Sequence, residues 1–317
     1  MESALRLRIL PLPPLEQMES ISDTKAGKTG RPVLLSFDEM PEWFRRESNQ
    51  WILHGYRPIS GSAHTSFCSC LYMHYESVNI YSHLIPAIFF LFGESYIQRC
   101  LTSRYSAATS ADFITFSIFM LTAFTCLSLS AMYHTLMNHS RHVEHLCLRL
   151  DMLGIVIFLL GDLILGIYMV FWCEPLSRNI YWSMDLIGVF GTLTIFMTMH
   201  PKFQGRKYRL FRALMFVATG LSGVAPLIHG FYVFGMSQMM RKALPYTLAK
   251  AGCLPSGTLC SESPESRYPG KFDLWGSHSI FHILVICAAV VQVMGYPDAF
   301  DYAQANLTCS FLSNKFF

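Results

Sequence analysis

The chain is short of charge. Asp, Glu, Lys and Arg make up only 14% of its 317 residues against 52% hydrophobic, and the mean hydropathy is +0.34. Soluble domains carry roughly 25% charged residues, so this composition excludes an ordinary soluble fold and makes the bilayer the expected solvent. A basic patch is missing too. The net charge is +3 and the Lys and Arg residues are scattered through short polar stretches, which excludes a nucleic-acid partner. The ten cysteines fall mostly inside apolar runs (Cys126, Cys147, Cys287) without paired spacing. That argues against a zinc ribbon or a disulfide framework, and they read mainly as small core residues. Arg6, Arg8, Pro11, Pro13 and Pro14 interrupt the apolar amino terminus, so no cleaved signal peptide is expected. No internal repeat or long low-complexity tract is present.

What the chain does have is long apolar runs. A helix needs about 20 residues to cross a hydrocarbon core. Runs of that kind lie at 79–98, 113–134, 147–171, 180–199, 211–234 and 277–296. A weaker one, 243–261, is broken by Pro245, Lys250, Pro255 and two glycines. The expected fold is an all-α membrane protein: a seven-transmembrane bundle with a degenerate sixth span and a cytosolic amino terminus. Its parts are a tail over 1–74, the membrane domain over 75–296, and a short non-cytosolic tail over 297–317. The orientation follows the excess of Lys and Arg on one side. With seven crossings, Arg141, Arg149, Lys202, Arg206, Lys207, Arg209, Arg212, Arg267 and Lys271 are inside, and Arg45, Arg46 and Arg57 add to them. Fewer lie outside, and the sequon Asn306-Leu307-Thr308 falls there. Within the tail, residues 40–54 alternate Trp43, Phe44, Trp51, Ile52 and Leu53 with charges. They read as a short amphipathic helix lying on the membrane or packing on the loops.

Ionisable groups inside spans are costly and face a protein interior or a functional cavity. Here they gather at four span ends: Glu76, Asn79, Ser82 and His83; Ser130 and His134; Asp151; and His278 and His282. Seven alternating spans put all four ends on one side of the bilayer. His278 and His282 are four residues apart, so on a helix both rings leave one face and can grip one metal ion. A third imidazole from another helix leaves the fourth tetrahedral position to water, the pattern of catalytic zinc. His134 suits that place, but His139, His142 and His145 line the following loop and compete with it. Asp151 and Ser130 lie at the same depth and can support a ligand or a water. Deep in their spans, Asp162 and His229 read as structural pairs more readily than as substrate contacts. Cys68 and Cys70 are juxtamembrane and read as plain surface residues before acylation sites.

Four motifs go further. They are Trp51-Ile52-Leu53-His54-Gly55-Tyr56-Arg57-Pro58, Glu76-Ser77-Val78-Asn79-Ile80-Tyr81-Ser82-His83, Ser130-Ala131-Met132-Tyr133-His134-Thr135 with Leu150-Asp151-Met152-Leu153-Gly154-Ile155, and the stretch from Pro269 through Gly276-Ser277-His278-Ser279-Ile280-Phe281-His282. Together they resemble the signature blocks of the progestin and adipoQ receptor (PAQR) family, also called the haemolysin-III family. The resemblance implies seven spans, a cytosolic amino terminus and a zinc held by His134, His278 and His282. It also implies Asp151 and Ser130 beside the metal, and so selects His134 over the loop histidines. Two departures stand out: Tyr75 where the family has Asn, and the poorly apolar sixth span. If that span failed to cross, His278 and His282 would open on the opposite side from His134.

The resemblance implies a receptor-like protein of a plasma or internal membrane, acting in lipid, sterol or metal homeostasis. One expectation is a zinc-dependent hydrolase of a lipid amide of the ceramide type, with Asp151 as base and Ser130 positioning. The others are a receptor or sensor with structural zinc and an extracellular ligand, a tailoring enzyme for a lipid-like metabolite and, last, a pore or scaffold.

Overall fold

The structure is a computed structural model that describes residues 33–46, 49–183, 187–204, 206–243, 245–249, 264–307 and 309. The tail before residue 33, most of the weak sixth span, Thr308 of the sequon and residues 310–317 lie outside the described residues.

In order, the chain forms strands β1 (Leu35–Ser36) and β2 (His54–Tyr56) and helices α1 (Ala63–Cys68), α2 (Ser77–Arg104), α3 (Ser110–Leu136) and α4 (Arg141–Val170). Helices α5 (Pro175–Ser183), α6 (Ile187–Met199), α7 (Arg209–Leu221), α8 (Val224–Lys242), α9 (Pro264–Arg267) and α10 (Ser277–Asn306) follow. Among the described residues, five stretches are long and apolar enough to cross a membrane: α2, α3, α4, Leu210–Lys242 and α10. This is an integral, multi-pass, all-helical membrane protein. The expected span at 180–199 is helical on both sides of residues 184–186, and α6 by itself is too short to cross.

Small residues let the central helices approach closely, as they do in membrane bundles. A Cβ on Gly154 would lie 3.0 Å from the Cys126 Cα, and one on Gly161 would lie 2.0 Å from the Thr122 Oγ1. Helix α4 therefore lies flush along α3 and carries Asp151 to the level of Ser130. An aromatic and aliphatic core built on Phe116, Phe119, Tyr168, Tyr296 and Phe300 fills the other half of the bundle.

The two ends of the weak sixth segment are fixed by their neighbours. The Tyr246 hydroxyl donates to Asp298 (2.8 Å), and Glu265 accepts from the backbone N–H of Ser277 (3.0 Å). Asp298 and Ser277 are about 30 Å apart along α10 at helical rise. Tyr246 therefore stands toward the far end of α10 and Glu265 at its start.

Residues 40–54 form turns, with no α-helix among those described. Met40 and Phe44 are buried with Tyr56, Tyr75, Tyr133, Met137 and Cys147 where α3 ends and α4 begins. The expected amphipathic helix is therefore not formed among the described residues, and the segment packs on α3 and α4 instead. Tyr75, a departure from the family block, sets its ring 4.4 Å from that of Tyr56, tilted by 42°, in that cluster. The cysteines hold one correction: Cys173, after α4, is joined to Cys309, beyond α10, in a disulfide. Cys126 and Cys147 are buried as expected, but Cys287 is exposed.

Candidate metal centre

Helix α3 ends and α10 begins at the same level. The α10 start is held by Glu265, whose carboxylate accepts from Ser277 N and Oγ; a carboxylate there satisfies free N–H groups and suits the helix dipole. One residue later comes His278 and one turn on comes His282. With His134 they form a cluster whose ligand atoms all lie within 4.8 Å of one another. His134 and His282 are buried and His278 is exposed. The Nε2 of His278 is 3.4 Å from that of His134 and 3.2 Å from that of His282. Three imidazole nitrogens on a tetrahedral ion at 2.0–2.1 Å would be spaced about 3.3 Å apart. The loop histidines stay out of the cluster: His139 pairs with Ser140, and His142 and His145 are exposed.

The tautomers follow from α2, which supplies no ligand. The Nδ1 of His134 meets Glu76 Oε2 at 2.7 Å, and since an ionised carboxylate only accepts, the imidazole N–H is on Nδ1 and Nε2 keeps its lone pair. Ser82 Oγ donates to the Asn79 carbonyl (3.2 Å), which leaves its own lone pair to accept from His282 Nδ1 (3.2 Å). Nε2 of His282 is thereby free as well. The network is continuous: Asn79 Nδ2 donates to Glu76 (2.6 Å) and Ser279 Oγ donates to Asn79 Oδ1 (2.7 Å). His83 lies flat on His282, with ring centroids 3.8 Å apart and 9° between planes, and fixes its orientation from the other side. Just before α2, burial and then the Arg57 cation lower the His74 pKa to about 3, so its neutral Nδ1 accepts from Glu76 N.

Asp151 and Ser130 are buried and interact with each other, and Asp151 also feels His134. The sequence named both, together with all three histidines; it placed Glu76, Asn79, Ser82 and His83 at this level without assigning them roles. Asp162 and His229 are elsewhere. Asp162 accepts from Gln292 and Tyr296 (both 2.9 Å), and His229 pairs with the Tyr181 hydroxyl (3.2 Å).

Residues 71–293 match the haemolysin-III related family. The chain belongs to that family. It is 33% identical over 306 residues to the "ADIPOR-like receptor IZH2" of Saccharomyces cerevisiae, covering 90% of this chain and 95% of the yeast protein. It is 34% identical to the "Adiponectin receptor protein" of Drosophila melanogaster over 86% of this chain and 61% of the fly protein, so it spans under two thirds of that relative. The "Heptahelical transmembrane protein 1" of Arabidopsis thaliana is 32% identical over 82% of this chain and 79% of its own length.

In this haemolysin-III relative, Glu76 would act on a metal held by the histidines only through His134. Outer partners of this kind typically change metal affinity by about 10–100-fold. Glu76→Gln is expected to weaken zinc binding by roughly that factor in a chelator competition, while Glu39→Gln, whose carboxylate accepts from Ser36, is expected to leave it unchanged. Equal affinity in Glu76→Gln and the parent would refute the role.

Proposed function

We propose that the three histidines hold zinc and that the protein is a seven-span, receptor-like hydrolase of a lipid amide, of the ceramide type. The observation that carries this reading is the convergence of three imidazoles whose ligand nitrogens lie within 4.8 Å of one another, two of the separations at tetrahedral spacing, beside a buried Asp–Ser pair. Two of the three imidazoles have their other nitrogen engaged by α2, so the donor set fits the ion. Bound there, zinc would polarise a carbonyl and acidify a water. Asp151 takes the proton of the water that attacks the amide carbonyl carbon, and returns it to the departing amine as the C–N bond breaks. Ser130 holds the Asp151 carboxylate and the water in register.

A mostly apolar cavity of about 490 Å³ between α4, α7, α8 and α10 is walled by Asp162, Tyr246, Gln292 and Tyr296 and by none of the histidines, Asp151 or Ser130; it lies deeper along α10 than His282 and favours a lipid-like substrate only as a place for its chain. Seven crossings are supported by the contacts of Tyr246 and Glu265 with opposite ends of α10 and by the heptahelical relatives. A cytosolic amino terminus is supported by the Cys173–Cys309 disulfide. Such bonds persist in oxidising compartments, which favours an orientation with that end of the bundle away from the cytosol and the histidines toward it.

The test is release of fatty acid from ceramide by purified protein, abolished by stripping zinc and restored by adding it back. Metal-loaded protein without turnover on lipid amides would sink the hydrolase. The names of the yeast and fly relatives favour a second reading, a receptor or sensor with structural zinc. In that case stripping would lower thermal stability and no turnover would be found.

A further inference from the structure

Residues 53–57 touch α3, which carries His134, and the segment that leads into α10, which carries His278 and His282. At one end of this five-residue strap, the backbone N–H groups of Leu53 and His54 donate to the two carboxylate oxygens of Asp273 (2.9 and 3.0 Å), five residues before His278. At the other end is Arg57, only 2% exposed. Its Nη2 donates to the His134 carbonyl (2.6 Å), and its Nη1 to the Thr135 carbonyl (2.9 Å) and to Ser69 Oγ (2.7 Å). These carbonyls belong to the last turn of α3, where helical partners run out, and a cation suits that end of the dipole. Between the anchors the strap is held flat. Gly55 has φ +91° and accepts from Tyr75 N (3.1 Å), and a Cβ on it would come within 3.3 Å of that nitrogen.

Burying a guanidinium is costly, and an apolar plug would fill the space at less expense. What the fork does that a plug cannot is fix the backbone of a ligand residue. We propose that Arg57 is a positioning residue of the three-histidine site, the anchor through which residues 53–57 set the spacing between His134 on α3 and His278 and His282 on α10. The proposal rests on the metal reading of the preceding section. Asp273 is the second anchor, acting on the α10 side.

The experiment compares zinc affinity by chelator competition, and the visible spectrum of the cobalt-substituted protein, in the full chain and its variants. Arg57→Gln is expected to weaken zinc by roughly 10–100-fold and to alter the cobalt bands. Arg57→Lys falls between, since it keeps the charge but not the fork. Gly161→Ala, which strains the far half of the bundle at Thr122, lowers the melting temperature and leaves affinity and spectrum as in the parent. Arg57→Gln with a lowered melting temperature but parental affinity and spectrum would overturn the proposal, because the residue would then only hold the fold. Should that variant not fold, Asp273→Asn at the other anchor carries the comparison, with the same expectation and the same overturning result. A parent protein that takes up neither zinc nor cobalt overturns the metal reading itself, an outcome separate from any difference between variants.

Discussion

Replacing His278 and His282 together by alanine takes the zinc content of the purified protein from about one ion per chain to near none. The two residues supply two of the three ligand nitrogens from one face of α10, and no other imidazole or thiolate among the described residues is grouped with them. One remaining imidazole, His134, cannot hold the ion against a buffer of moderate chelating strength. The helices stay assembled, because the core at the opposite half of the bundle, built on Phe119, Tyr296 and Phe300, does not involve the site. Metal analysis of parent and double variant in parallel reads the result directly. Equal zinc in both would mean that the ion sits elsewhere, and the central reading would fail.

Asp151→Asn separates the chemistry from the binding. Asp151 is carried by α4 while the ligands are carried by α3 and α10, so the amide variant should keep its zinc. Asparagine preserves the shape and the contact to Ser130 but cannot take a proton, and loss of a general base costs about 10²–10⁴-fold in rate. Amide hydrolysis should fall by that factor with metal content unchanged. A variant with full turnover removes Asp151 from the mechanism; one that loses zinc as well makes Asp151 a support of the metal instead.

The parts of this arrangement that could be read from the sequence are those that repeat locally. Long apolar runs announce spans, and the four-residue interval between His278 and His282 announces a shared helix face. The third ligand was different. His134 and the loop histidines 139, 142 and 145 are equivalent by spacing, and only the resemblance, and then the fold, separates them. Glu76 was visible as a polar residue at the start of a span, but nothing local reveals that its carboxylate meets an imidazole on another helix. Residues 40–54 misled because Trp43, Phe44, Trp51 and Ile52 alternate with charges as on an interfacial helix. Burial of Met40 and Phe44 against Tyr56 and Tyr133 overrode that pattern. The Cys173–Cys309 pair was hidden by a sequence separation of 136, far beyond any spacing rule.

That same disulfide gives the molecule a covalent topology. It closes a ring that runs from the end of α4 to beyond α10, so His278 and His282 belong to a closed loop while His134 belongs to the open arm that precedes it. The metal centre sits across the joint between the two. A cut in any connection within the ring would leave the pieces tethered, whereas a cut between α3 and α4 would leave the arm attached through packing and, at the site itself, through whatever the three imidazoles share.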